Sequence, residues 1–202
     1  MADSSLLNSA RHWVVAKYPY NRDHLLRALE WADRLDASAS DAVRLATLTH
    51  DMERAFPGPD QPIALTLGDP EYERAHAARS ALIVCDWLRE QGATDVFISE
   101  VDRLIRAHET GGWPEADLVQ AADSLSFLEM NVDLFLGFAR SGRYPSSEVR
   151  GKFEHSCERI RIPAVKELAR PLLQRALDRL DAQELELETA PAPIAPRTEE
   201  EA

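Results

Sequence analysis

Apolar residues recur three and four apart along most of this chain and almost nowhere alternate, so the pattern predicts helices. The first runs from Ser4 to Lys17. A second spans about Arg22 to Leu35, and a third starts at Ser40 or Asp41, either of which can cap it, and continues to about Phe56. Further helices are expected from Glu71 to Gln91, from Asp95 to Glu109, and from Pro114 to about Ala139. Gly111 and Gly112 make the turn before Pro114, which sits at a first-turn position. A last helical region runs from Ser146 to about Leu187, with breaks or kinks expected at Pro163 and Pro171. Only Ile63 to Leu67 reads as extended. The fold class expected is all-α, a helical bundle.

Between the third and fourth helices, Pro57, Gly58, Pro59, Pro62, Gly68 and Pro70 mark a long loop. Loops of that length inside compact domains are often functional. This one reads either as a lid over a cleft or as a plain surface excursion. One helical domain over residues 1–187 is expected, with a core at about 18–138 and C-terminal helices at about 146–187. The stretch 188–202 is rich in Pro, Ala and Glu and is expected to be a disordered tail.

Composition narrows the partners. The net charge is −12, and seven acids against one arginine from Asp181 onward supply half of it. Such a chain lacks the basic surface that holds a phosphate backbone, so no nucleic-acid polymer is expected. No apolar run is long enough to cross a bilayer and no leader pattern stands at the N-terminus, so a cytoplasmic protein away from membranes is expected. Cys85 and Cys157 lack the spacing of a metal knuckle or redox pair and read as reduced packing residues.

The helical phase then singles out chemistry. His24 shares a face with Ala28, Trp31 and Leu35. His76 falls on the stripe of Tyr72, Ser80, Ile83 and Trp87, and His108 ends the run Phe97, Val101, Leu104, Ile105. Asp123 lines up with Val119, Phe127, Met130 and Leu134, where an unpaired carboxylate would cost at least several kcal/mol and therefore needs a cation. With the doublet His50-Asp51, four inward histidines and two inward aspartates lie on separate predicted helices. Imidazole and carboxylate together suit first-row transition ions, and six ligands exceed what one ion takes while leaving room for water and substrate. Two adjacent metals are expected.

His24 in Asn21-Arg22-Asp23-His24, His50-Asp51 in Ala46-Thr47-Leu48-Thr49-His50-Asp51, and Asp123 in Gln120-Ala121-Ala122-Asp123 follow an order that resembles the HD superfamily of metal-dependent phosphohydrolases and its di-iron relatives. The resemblance covers about Tyr18 to Phe138. It implies that His24, His50, Asp51 and Asp123 hold a first metal, and that His76 and His108 hold a second, with Asp51 bridging. The ions implied are two divalent transition metals, iron or manganese. Met52-Glu53-Arg54 stands where many members carry Ile-Gly-Lys, so Arg54 occupies the place of a phosphate-contacting lysine. It reads equally as a bidentate anion ligand or as a solvated helix-end arginine. Glu53 is offset from the glutamate that some members use as a base, and no such role is assigned to it. His108-Glu109-Thr110-Gly111-Gly112-Trp113-Pro114 is loosely similar to the cyclic-dinucleotide phosphodiesterase motif but lacks its doubled histidine and Gly-Tyr-Pro, so that activity is not expected.

The reaction expected from the resemblance is hydrolysis of a phosphate ester or anhydride in a small phosphorylated metabolite or nucleotide. Asp51, Arg54 and Arg79 are the catalytic candidates. Arg143, Tyr144 and Lys152 are further phosphate-binding candidates. A mixed-valent di-iron oxygenase of the same superfamily uses the same ligand set and is the alternative. A regulatory or binding module that keeps the metal is the third. Ser124 and Ser126 read as packing hydroxyls, and His12 and His155 as residues outside the site.

Overall fold

The chain builds nine α-helices and one 3-10 helix, with no strand, among residues 4–189, which the structure, a computed structural model, describes. They are α1 Ser4–Lys17, α2 Arg22–Leu35, α3 Asp41–Thr49, a 3-10 turn at Met52–Ala55, α4 Pro70–Glu90, α5 Asp95–Arg106, α6 Pro114–Met130, α7 Val132–Arg140, α8 Ser146–Glu158 and α9 Pro163–Thr189. The expected disordered end lies largely outside the described residues. No helix among those described is long and apolar enough to cross a membrane.

Helix starts follow their caps. The Ser40 hydroxyl accepts the Val43 N–H at 3.2 Å, Thr94 accepts Phe97 N–H at 3.4 Å, and the Asp69 carboxylate accepts Glu71 N–H at 2.9 Å with Pro70 in the first turn. The centre of the bundle is α2 laid along α6, with α3 against α2 and α5, and with α4 on α5. Leu25, Ala28, Leu29 and Ala32 of α2 are fully buried there. A second part of the core forms where α6, α7, α8 and α9 meet around Leu125, Phe153, Ala169 and Leu180.

Several expected bounds are corrected. The third helix stops at Thr49 instead of near Phe56, because the chain tightens into the 3-10 turn, with Arg54 N–H on the Asp51 carbonyl at 3.1 Å, and the His50 ring Nδ1 bonds the Thr47 carbonyl at 2.8 Å. The fifth ends at Arg106 rather than Glu109, because the backbone tightens there to i→i+3 bonds, Ala107 N–H to the Leu104 carbonyl at 3.1 Å and His108 N–H to the Ile105 carbonyl at 3.2 Å, the latter also accepting from His108 Nδ1 at 2.7 Å. The span from Pro114 to Ala139 is two helices, parted at Asn131, a weak helix former held here at φ −101°, ψ −3°. The break near Pro163 is present, with Pro163 opening α9, whereas Pro171 lies inside α9 without interrupting it. Ile63 to Leu67 forms no strand. No neighbouring strand offers it a ladder, and Ile63 and Leu65 are 79% and 83% exposed.

Candidate metal centre and its cavity

His24 comes from the first turn of α2, His50 and Asp51 from the junction between α3 and the 3-10 turn, His76 from α4, His108 from the turn after α5, and Asp123 from the middle of α6. All six side chains are buried and converge. Ring centroids lie 5.4 Å apart for His24 and His50, 4.9 Å for His50 and His108, and 5.6 Å for His76 and His108. Three overlapping groups have ligand-capable atoms within 4.8 Å of one another: His24, His50 and Asp51; His50, His108 and Asp123; and Asp51, His76 and His108.

The hydrogen bonds fix the tautomers. The Ser126 hydroxyl donates its one proton to the His24 carbonyl at 2.6 Å, so at 2.9 Å it accepts from His24 Nδ1–H. Thr47 and Ile105 carbonyls can only accept, so His50 and His108 also carry their proton on Nδ1. His76 Nδ1 faces the Glu53 carboxylate at 2.9 Å. Every ring therefore presents Nε2 towards the shared centre, where Nε2 of His50 stands 3.2 Å from Asp123 and Nε2 of His108 stands 3.4 Å from Glu109, both buried and neither in a well-aligned hydrogen bond. An orphaned imidazole nitrogen in a dry site costs stability unless something accepts its lone pair. The donor set fits a divalent transition ion, with acceptors behind the imidazoles as ligating histidines require.

The two aspartates divide their oxygens in the same way. Asp51 turns Oδ1 to His76 Nε2 at 2.8 Å and Oδ2 to Arg54. Asp123 turns Oδ1 to Nε2 of His24 and of His50, both at 3.2 Å, and Oδ2 to Arg159 at 2.5 Å. Burial alone would raise both carboxyls. Arg54 and His50 around Asp51, and His50 and Arg159 around Asp123, hold them well below the usual carboxylate range. Burial likewise opposes charge on His50, but Asp123 and Asp51 lift its pKa to about 9.

A cavity of about 430 Å³ opens onto this cluster through His24, Asp51 and Asp123. One wall is aromatic, from Phe127, Phe135, Phe138 and Tyr144, and the charged lining sets Arg54, Arg143, Lys152 and Arg159 among Asp51, Glu73, Glu109 and Asp123. The segment from Gln61 to Gly68, apart from Leu65, closes another side, and Leu67 N–H reaches Glu148 at 3.3 Å. Arg79 lies elsewhere: it bonds the Glu53 carbonyl at 3.1 Å, the Glu53 carboxylate at 3.2 Å and the Phe56 carbonyl at 2.8 Å, and thus braces the 3-10 turn without lining the cavity. His12 bonds Asn8 on the surface of α1 and His155 is exposed on α8.

Sequence reasoning gave no role to Glu53, Glu109, Ser126 or Arg159. Ser126 read only as packing, yet it orients His24. Arg159 had a signal: Lys152, Ser156 and Arg159 fall at i, i+4 and i+7, one polar stripe on α8, and all three line the cavity. A family model described as HD domain matches residues 21–128, more than half of the chain. No curated protein and no solved structure matches.

Proposed function

Given that the chain belongs to the HD-domain family, a family of metal-dependent phosphohydrolase type, we propose that it hydrolyses a phosphate ester or anhydride of a small phosphorylated metabolite or nucleotide. The observation that carries this reading is the set of four Nδ1-anchored imidazoles around two aspartates at the floor of a cavity whose lining combines four basic with four acidic side chains. In this reading His24, His50, Asp51 and Asp123 would hold one ion, and His76, His108 and Asp51 would hold a second. Iron or manganese suits these donors. Bound ions supply Lewis acidity, which activates water and neutralises phosphoryl charge.

The protein groups do the rest. Arg54, fixed by Asp51, presents further N–H donors at the cavity edge, while Arg79 holds the 3-10 turn that carries Arg54. Ser126, Thr47, Ile105 and Glu53 keep the imidazoles aimed. The aromatic wall packs against the non-phosphoryl part of the substrate. Asp51→Ala is expected to abolish turnover of a phosphate-ester panel and to lower metal content; an active, metal-replete variant sinks the assignment.

A second reading, a mixed-valent di-iron oxygenase, rests on the count of four histidines and two aspartates in one cluster. Metal analysis and electron paramagnetic resonance of anaerobically purified protein separate the two. Two redox-silent ions with ester hydrolysis favour the hydrolase. A mixed-valent iron signal that responds to an organophosphonate favours the oxygenase.

A further inference from the structure

Arg159 is the C-cap residue that follows α8, and it lies beyond the matched residues 21–128. Its side chain is only 8% exposed. A guanidinium buried that far is tolerated when its N–H groups are paired, and three of the five are: Nε donates to the Ser124 hydroxyl at 2.9 Å, and the two terminal nitrogens donate to Asp123 Oδ2 at 2.5 Å and to Glu109. Two N–H donors remain on a side chain that lines the cavity. Arg79 is the useful contrast, since it spends its bonds on the 3-10 turn and is absent from the cavity wall.

We propose that Arg159 is an anion-binding residue of this site, set by α8 at the edge of the metal cluster to take the oxygens of a tetrahedral phosphoryl or phosphonyl dianion. The kind of anion rests on the function proposed above; the placement of the guanidinium does not. Asp123 already turns its other oxygen to His24 and His50, so Arg159 and a metal do not compete for the same oxygen. Glu109 and Ser124, neither of them a candidate ligand, hold the guanidinium in place. Charge points the same way. Around the cluster the carboxylates of Asp51, Glu53, Glu109 and Asp123 face Arg54, Arg79 and Arg159. That balance is close to neutral, and divalent ions turn it positive, which a dianion complements. Lys152, paired with Glu73 at 3.2 Å, adds a second cation about two turns back along the same stripe.

The test uses the full chain loaded with Mn²⁺ and inorganic phosphate as probe, with methylphosphonate run beside it to tell ester from phosphonate chemistry. Affinity is read by calorimetry, metal content by mass spectrometry, and KM against kcat on any ester turned over. Arg159→Gln is expected to keep its metal and to weaken phosphate at least about tenfold, with KM rising more than kcat falls. Arg159→Lys keeps the charge between Asp123 and Glu109, loses the fork, and is expected to fall between; it decides the matter if the glutamine variant does not fold. Unchanged phosphate affinity in a metal-loaded Arg159→Gln variant overturns the proposal, as does unchanged affinity in the lysine variant where the glutamine variant does not fold. So does loss of metal in both variants with normal phosphate affinity in the fraction still loaded, which would make Arg159 a prop for Asp123. Phosphate held through Arg159 by a protein that hydrolyses no ester leaves this inference standing and removes the hydrolase reading.

Discussion

At the scale of single residues, the imidazoles depend on what stands behind them. Ser126→Ala removes the hydroxyl that accepts from His24 Nδ1 and leaves that ring free to turn. Metal affinity is expected to fall by about tenfold or more in a chelator competition, with little change in the circular dichroism of the fold. Protons should follow metal as well. Because its Nδ1 proton is committed to Thr47, the second proton of His50 sits on Nε2 and is retained up to a pKa of about 9. A metal must displace it, so at pH 7.5 binding releases a proton and affinity climbs with pH until about pH 9. Calorimetry in buffers of different ionisation enthalpy reads this directly; no buffer dependence at pH 7.5 contradicts it. The helical phase was enough to single out His24, His76, His108 and Asp123, the His-Asp doublet supplied His50 and Asp51, and the structure brings all six together. Their hydrogen-bond partners were not legible. Ser126 lies 102 residues from His24, and the Thr47 and Ile105 partners are backbone carbonyls that no side-chain pattern announces.

At the scale of elements, apolar periodicity located the helices but not every point where they stop. α1 and α2 end where the pattern ends. α3 and α5 end early where the backbone tightens to i→i+3 bonds, and at each of these ends a ligand histidine ring bonds a carbonyl of the preceding helix. The loop from Pro57 to Asp69 showed the reverse failure. Its apolar run read as extended, but the structure spends it on the cavity wall. Its lid reading gains support from Ile63, Ala64 and Leu67 on that wall and from Leu67 N–H on Glu148. Deleting Ile63 to Thr66 is expected to raise KM or broaden substrate choice while metal content stays the same; unchanged kinetics would make the loop a surface excursion.

At the scale of the whole molecule, the cleft does not share the acidic excess of the chain: against a net charge of −12, its lining balances four basic side chains with four acidic ones. Ions that bind only the folded chain stabilise it by mass action, about 2.7 kcal/mol per site at a hundredfold excess over Kd. Mn²⁺ or Fe²⁺ is expected to raise the melting temperature by roughly 5 to 10 °C, and a chelator to reverse the gain. A flat melting curve would show that the cluster holds no ion. The cluster also has a consequence during synthesis. Its six side chains stretch from His24 to Asp123, and each of the three ligand groups draws on at least two elements. A chain emerging from the ribosome can assemble the first group once Asp51 is out, but the group that includes Asp123 must wait for α6 and for the α2 and α6 contact that centres the bundle. Metal uptake on a nascent chain should thus come in stages, with full loading reporting that translation has passed α6.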